Sequence, residues 1–203
     1  MTQKDRPIIS ASRGAFIFRE MLGIRREYYP DSQFFRTVDV WDQLASDSVV
    51  KIKTYKSADT EDFKRRAAVI VFEDQIKLVV DERLLFEARK GGRLYNYILA
   101  HELAHLALNH QDRGQIVKHF QLFDSKNGMA NIPPTNEERE ANWGAVFFQC
   151  GVALFGQSVN PLELARRSCS DIESVKKAVA ICRLEAFQRE FNKPSKSLGR
   201  VIL

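Results

Sequence analysis

The sequence predicts an α+β fold: a small antiparallel sheet, a helix carrying His101-Glu102-Leu103-Ala104-His105 packed against further helices, and a helical C-terminal segment. Three observations predict it. Apolar runs of strand length cluster between residues 49 and 80. A three- and four-residue apolar spacing sets in after Gly91-Gly92. From Thr135 onward the pattern is helical almost throughout.

The elements follow in order. Residues 14–23 (GAFIFREMLG) and 36–47 (RTVDVWDQLASD) read as short amphipathic helices. Val49 to Tyr55 alternates, Ala67 to Phe72 is continuously apolar, and Ile76 to Val80 alternates less cleanly. The short Glu73-Asp74-Gln75 link makes the last two an antiparallel hairpin. Gly91-Gly92 breaks the chain before a helix over Arg93–His110. Residues 121–135, with Pro133-Pro134, form a loop, and a helix runs from Thr135 to about Phe155. Pro161 opens a short helix, Asp171 opens another reaching about Phe191, and the tail after Asn192 frays. The expected organisation is one domain over 1–157 and a helical segment with a helix-turn-helix-like pattern over 158–203.

Composition narrows the class. A chain of 203 residues, 44% hydrophobic, with only 10 Gly and 6 Pro, has the material for an ordered core. The net charge of +5 is spread along the chain, as at Arg25-Arg26, Lys64-Arg65-Arg66 and Lys176-Lys177, and reads first as a solvated surface. Three cysteines without a CxxC spacing argue against a disulfide scaffold or a cysteine-rich zinc site. The polar start MTQKDRPIIS and the lack of a membrane-length apolar run lead to the expectation of a reduced, cytoplasmic protein with no membrane role.

The chemistry sits at residues 101–105. Helical positions four apart lie on one face, so both imidazoles reach one ion. Zinc accepts histidine nitrogen readily in this arrangement. Glu102 is rotated out of the first shell yet reaches a metal-bound water, whose proton it accepts during attack on a carbonyl. Two unrelated histidines would be the bland alternative. All four histidines, however, fall between 101 and 119, and Leu94, Ile98, His101, His105 and Leu108 form one seam pointing inward. His110, about 140° round a continuous helix from His105, reads as a helix-end residue suited to the C-terminal dipole. His119 reads as a surface or packing residue. Tyr95 and Tyr97 on the same helix are packing residues before they are oxyanion donors.

A hydrolytic zinc site takes a third protein ligand and keeps an open position. The 135–155 helix is the best source. With Ala141, Gly144, Ala145 and Phe148 buried, Glu137 and Glu138 lie nearer that face than Glu140. Glu138 also has the spacing of a capping box with Thr135, so both roles are open to it. Asn142, one turn on, can hydrogen-bond a ligand.

At these residues the chain resembles the ImmA/IrrE family of metallopeptidases. Arg93-Leu-Tyr-Asn-Tyr-Ile-Leu-Ala-His-Glu-Leu-Ala-His-Leu-Ala-Leu-Asn-His110 is similar to the family's F-x-x-A-H-E-x-G-H-x-x-L-H-H, after a lead at Ile76–Asp81. Glu138-Arg-Glu-Ala-Asn142 with Gly144-Ala145 resembles E-x-x-A/C-N-x-F-A, and Leu162 to Val179 loosely resembles the family's tail. Ala104 departs from the usual glycine, and Phe147-Phe-Gln-Cys-Gly-Val152 from L-L-M-P. The resemblance implies a minimal gluzincin-like fold with Zn2+ held by His101, His105 and Glu138 and with Glu102 as catalytic base. It implies an intracellular zinc endopeptidase domain that cleaves a specific protein, such as a helix-turn-helix transcriptional repressor. Two competing readings are a DNA-binding regulator using Pro161–Phe191, and a zinc-binding interaction protein without catalysis. Against the first, the recognition helix would begin Asp171-Ile-Glu173, acids that face phosphates poorly.

Overall fold

A computed structural model describes residues 9–56, 67–72, 75–110 and 135–194. The chain is mixed α and β, with eight α-helices and a three-stranded sheet among the described residues. Helices α1 (Ala11–Tyr28) and α2 (Thr37–Ser46) precede strands β1 (Val50–Tyr55), β2 (Ala67–Phe72) and β3 (Gln75–Asp81). Helices α3 (Glu82–Arg89), α4 (Arg93–Ala107) and α5 (Asn136–Cys150) follow. A 3-10 turn over Gly151–Phe155 leads to α6 (Pro161–Arg167), α7 (Ile172–Cys182) and α8 (Glu185–Phe191).

The strand order is β1-β3-β2. The β2–β3 hairpin is antiparallel as expected, pairing Val69 with Leu78. Strand β1 runs parallel to β3, pairing Ile52 with Leu78, so the sheet is mixed and not wholly antiparallel. Alternation along a strand reports a half-buried face; it carries no information about the direction of a neighbour. Val50, Val69, Leu78 and Val80 line the inner face, against which α2, α3 and α4 pack.

Local signals set most element ends. Ser10 caps α1, Asp81 caps α3, Asn160 caps α6 with Pro161 in its first turn, and Asp171 caps α7. Helix α3 was not foreseen, although Asp81 followed by Glu82 is a start signal. The long helix expected to end at Phe155 stops at Cys150, where Gly151 takes φ 54° and tightens the chain. The single helix expected over 171–191 is two helices turning at Arg183-Leu184. That turn brings Phe187 and Phe191 onto α1, where Phe18 meets Phe147, Phe155 and Phe191 at ring separations of 4.9, 5.2 and 5.0 Å. Residues on both sides of the 157/158 boundary therefore share one hydrophobic core. Residues 121–134, His119 and most of the tail after Asn192 lie outside the described residues.

Buried polar side chains join the helices. Asn96, fully buried, accepts from Val38 N–H on α2 and donates to the Ala88 and Gly92 carbonyls. Trp41 donates from Nε1 to the Leu99 carbonyl of α4 at 3.0 Å. Arg25, also fully buried, donates to the Phe148 and Gln149 carbonyls and so closes the end of α5.

Helices α4 and α5 approach most closely at Ala104 and Gly144. A Cβ built on Gly144 would sit 2.6 Å from the Ala104 methyl and 3.5 Å from Met21 Sδ. The Ala104 methyl thus has its room supplied by Gly144 on the opposite helix. Gly144→Ala should therefore destabilise the protein, since overpacking costs about 1–3 kcal/mol and better helix propensity returns at most about 1. Adding Ala104→Gly should recover most of the loss in the urea midpoint. A single variant as stable as the wild type would show that the crossing has slack.

Candidate metal centre

Helix α4 buries nearly its whole surface from Asn96 to Ala107, which leaves its histidines no solvent to face. His101 is fully buried and His105 nearly so. Their Nε2 atoms lie 2.9 Å apart. Across the α4–α5 crossing, Glu138 places Oε2 3.2 Å from His101 Nε2 and Oε1 3.4 Å from His105 Nε2. Three donors at about 2.0–2.2 Å from a tetrahedral ion are about 3.3–3.6 Å apart, close to these separations. Among the described residues, His101, His105 and Glu138 form the one group of three or more His, Cys, Asp or Glu side chains placed to hold a metal ion.

Glu138 resolves its two candidate roles by dividing them. Its backbone N–H is capped by Thr135 Oγ1 at 3.2 Å, while its carboxylate turns to the histidines. Glu137 and Glu140 do not join the three-donor group.

Burial lowers the His101 imidazole to a pKa of about 4 and keeps it neutral. Burial pulls the Glu138 carboxyl upward, but the two imidazoles that face it outweigh this and hold it below the usual carboxylate range. Neutral imidazole and ionised carboxylate are the donor forms a metal binds.

Glu102 is 2% exposed and sits beside the three donors without joining them. Its Oε2 accepts from the Val69 N–H of β2 at 3.1 Å, whereas Oε1 has no hydrogen-bond partner among the described residues. Burial raises this carboxyl well above its ordinary range, with the Val69 N–H acting the other way. An orphaned, buried carboxylate oxygen beside a His-His-Glu group fits a centre that handles a proton next to an ion.

Asn142 supports His101 as expected. Its Oδ1 lies 3.1 Å from His101 Nδ1 and also accepts from the Tyr97 hydroxyl at 3.1 Å. Because Asn142 Oδ1 accepts only, His101 carries its hydrogen on Nδ1 and presents a lone pair at Nε2. Tyr97, buried and raised to about 12 by that burial, is thereby a structural partner.

His110 departs from the expectation. Helix α4 ends at Ala107, and Asn109 at φ 51° turns the chain back so that His110 N–H donates to the His105 carbonyl. The angular offset of a continuous helix no longer applies, and the His110 ring lies against that of His105 at 5.2 Å between centroids. Burial lowers the His110 pKa and favours the neutral imidazole, not the cation expected at a helix end. Glu140 accepts from His110 and from Arg13, whose guanidinium holds its carboxyl below the usual range. Sequence spacing pointed to neither contact, because a left-handed residue made the first and a distant helix the second.

Compared with known proteins, the chain matches no family model, no curated protein and no solved structure. Among the described residues, no helix is long and apolar enough to cross a membrane.

The centre predicts about one zinc per chain in purified protein, with most of it lost on His105→Ala. Glu138→Gln should weaken zinc binding sharply and Glu137→Gln should not, as read by chelator competition. Full metal retention by His105→Ala would refute the ligand set.

Proposed function

We propose that this protein is a zinc-dependent endopeptidase with His101, His105 and Glu138 as metal ligands and Glu102 as the general base. The observation that carries the reading is the convergence of Glu138 from α5 on two histidines of α4, with the unpartnered Oε1 of Glu102 beside them. Zinc bound there would supply a Lewis acid for a substrate carbonyl and acidify the attacking water to a pKa of about 7. Glu102 takes the proton of that water and returns it to the leaving amine, a double role open to a carboxylate outside the ligand set. Asn142 and Tyr97 keep His101 aligned while charge develops at the centre.

Strand β2 is suited to present an extended peptide to this centre. The Val69 N–H, donated to Glu102, faces away from β3, so the outer edge of β2 borders the base. The other edge strand, β1, at first sight an equally good platform for strand addition, lies beyond β3. The resemblance to ImmA/IrrE peptidases supports a folded regulatory protein, such as a helix-turn-helix repressor, as the substrate and an intracellular setting. DNA binding through α7 gains no support. That helix begins with Asp171 as its cap and Glu173 in its first turn, acids that face phosphates poorly, and Glu173 pairs with Lys176 of the same helix.

Glu102→Gln tests the chemistry separately from the metal. The variant should keep its zinc, because both histidines and Glu138 remain. Cleavage should fall by about 10²–10⁴-fold or more, the usual worth of a positioned base. A zinc-loaded variant with near-normal cleavage would exclude Glu102 as the base.

A further inference from the structure

Behind His105 runs a chain of side chains that ends on the first helix. His105 Nδ1 lies 3.1 Å from His110 Nδ1, and His110 Nε2 lies 3.1 Å from Glu140 Oε2. Arg13 donates from Nε to Glu140 Oε1 at 2.8 Å and from Nη2 to Oε2 at 2.5 Å. His110 is 5% exposed, so its partners are protein groups and not bulk water.

Two imidazoles that meet nitrogen to nitrogen share one hydrogen, and which ring owns it is decided by the groups at their far ends. Glu140, ionised and clamped by Arg13, can only accept. His110 therefore carries its hydrogen on Nε2 and, as a neutral ring, has a lone pair on Nδ1. That lone pair accepts the hydrogen of His105 Nδ1. With that hydrogen on Nδ1, His105 has its lone pair on Nε2, the nitrogen that faces His101 and Glu138; the Glu138 carboxylate, itself an acceptor, draws the hydrogen the other way until an ion takes its place.

We propose that His110, Glu140 and Arg13 are positioning residues that fix His105 in its metal-binding tautomer and so set the affinity of the site. The proposal rests on the reading of His101, His105 and Glu138 as metal ligands. It gives His105 the counterpart of what Asn142 does for His101. Without the carboxylate at its far end, His110 is free to place its hydrogen on Nδ1 and donate it to His105. His105 Nε2 then carries a hydrogen toward Glu138, the form that cannot bind a metal.

The test combines the ring tautomer with metal affinity. In zinc-loaded wild-type protein, long-range 1H–15N correlations of the histidine rings should show His105 protonated at Nδ1 and His110 protonated at Nε2. Glu140→Gln, whose amide can donate as well as accept, should give a mixture of His110 tautomers. The zinc dissociation constant, measured by chelator competition, should rise by about 10–100-fold in Glu140→Gln and in His110→Asn. Glu140→Asp should recover part of the loss. Far-UV circular dichroism and the unfolding midpoint of the metal-free forms separate these effects from misfolding, and Glu140→Gln, a half-buried site, serves if His110→Asn unfolds. Wild-type protein that binds zinc, with both variants within about threefold of it and His110 unchanged in tautomer in Glu140→Gln, would overturn this proposal alone. Wild-type protein that binds no zinc would overturn the metal reading as well.

Discussion

The close crossing of α4 and α5 is the constraint on which the rest depends. Glycine at 144 lets the backbones approach until the Ala104 methyl fills the gap. That approach brings Glu138, near the start of α5, within reach of two histidines one turn apart on α4. A bulkier contact would separate the helices, and the distances between the three donors would open with them. The candidate metal centre is thus an outcome of helix packing, with no loop among its three donors.

Around that crossing, burial does two kinds of work. It supplies the hydrophobic stabilisation, through the aromatic cluster at Phe18 and the sheet face at Leu78 and Val80. It also strips water from His101, His105, His110 and Glu102, so that each must settle its hydrogens with protein groups. Asn142, Glu140 and the Val69 N–H are the groups that answer. In this way the fold dictates protonation at the centre as well as position.

The elements that support the centre come from both ends of the chain. Arg13 on α1 holds Glu140. The helices after residue 158 pack into the same core as α1 and α5. A pattern that resembles a helix-turn-helix in sequence is here used to cover α5.

What the sequence determined by itself was local. The three strands, five of the eight described helices, a single helical run across α7 and α8, and the four-residue spacing of His101 and His105 follow from periodicities and caps that operate within a turn or two of chain. Periodicity left Glu137 and Glu138 as the acids nearer the buried face of α5, and only the resemblance singled out Glu138. Tertiary structure decided what local periodicity does not encode. The parallel direction of β1 depends on which edge of the hairpin is open, and the break at Arg183-Leu184 on where Phe18 waits for Phe187 and Phe191. The role of His110 depends on one left-handed residue, Asn109, and that of Glu140 on Arg13, 127 residues away in the chain. Each of these is a contact between segments remote in sequence. Its free energy comes from groups that meet only after the helices have packed, so no window along the chain contains it.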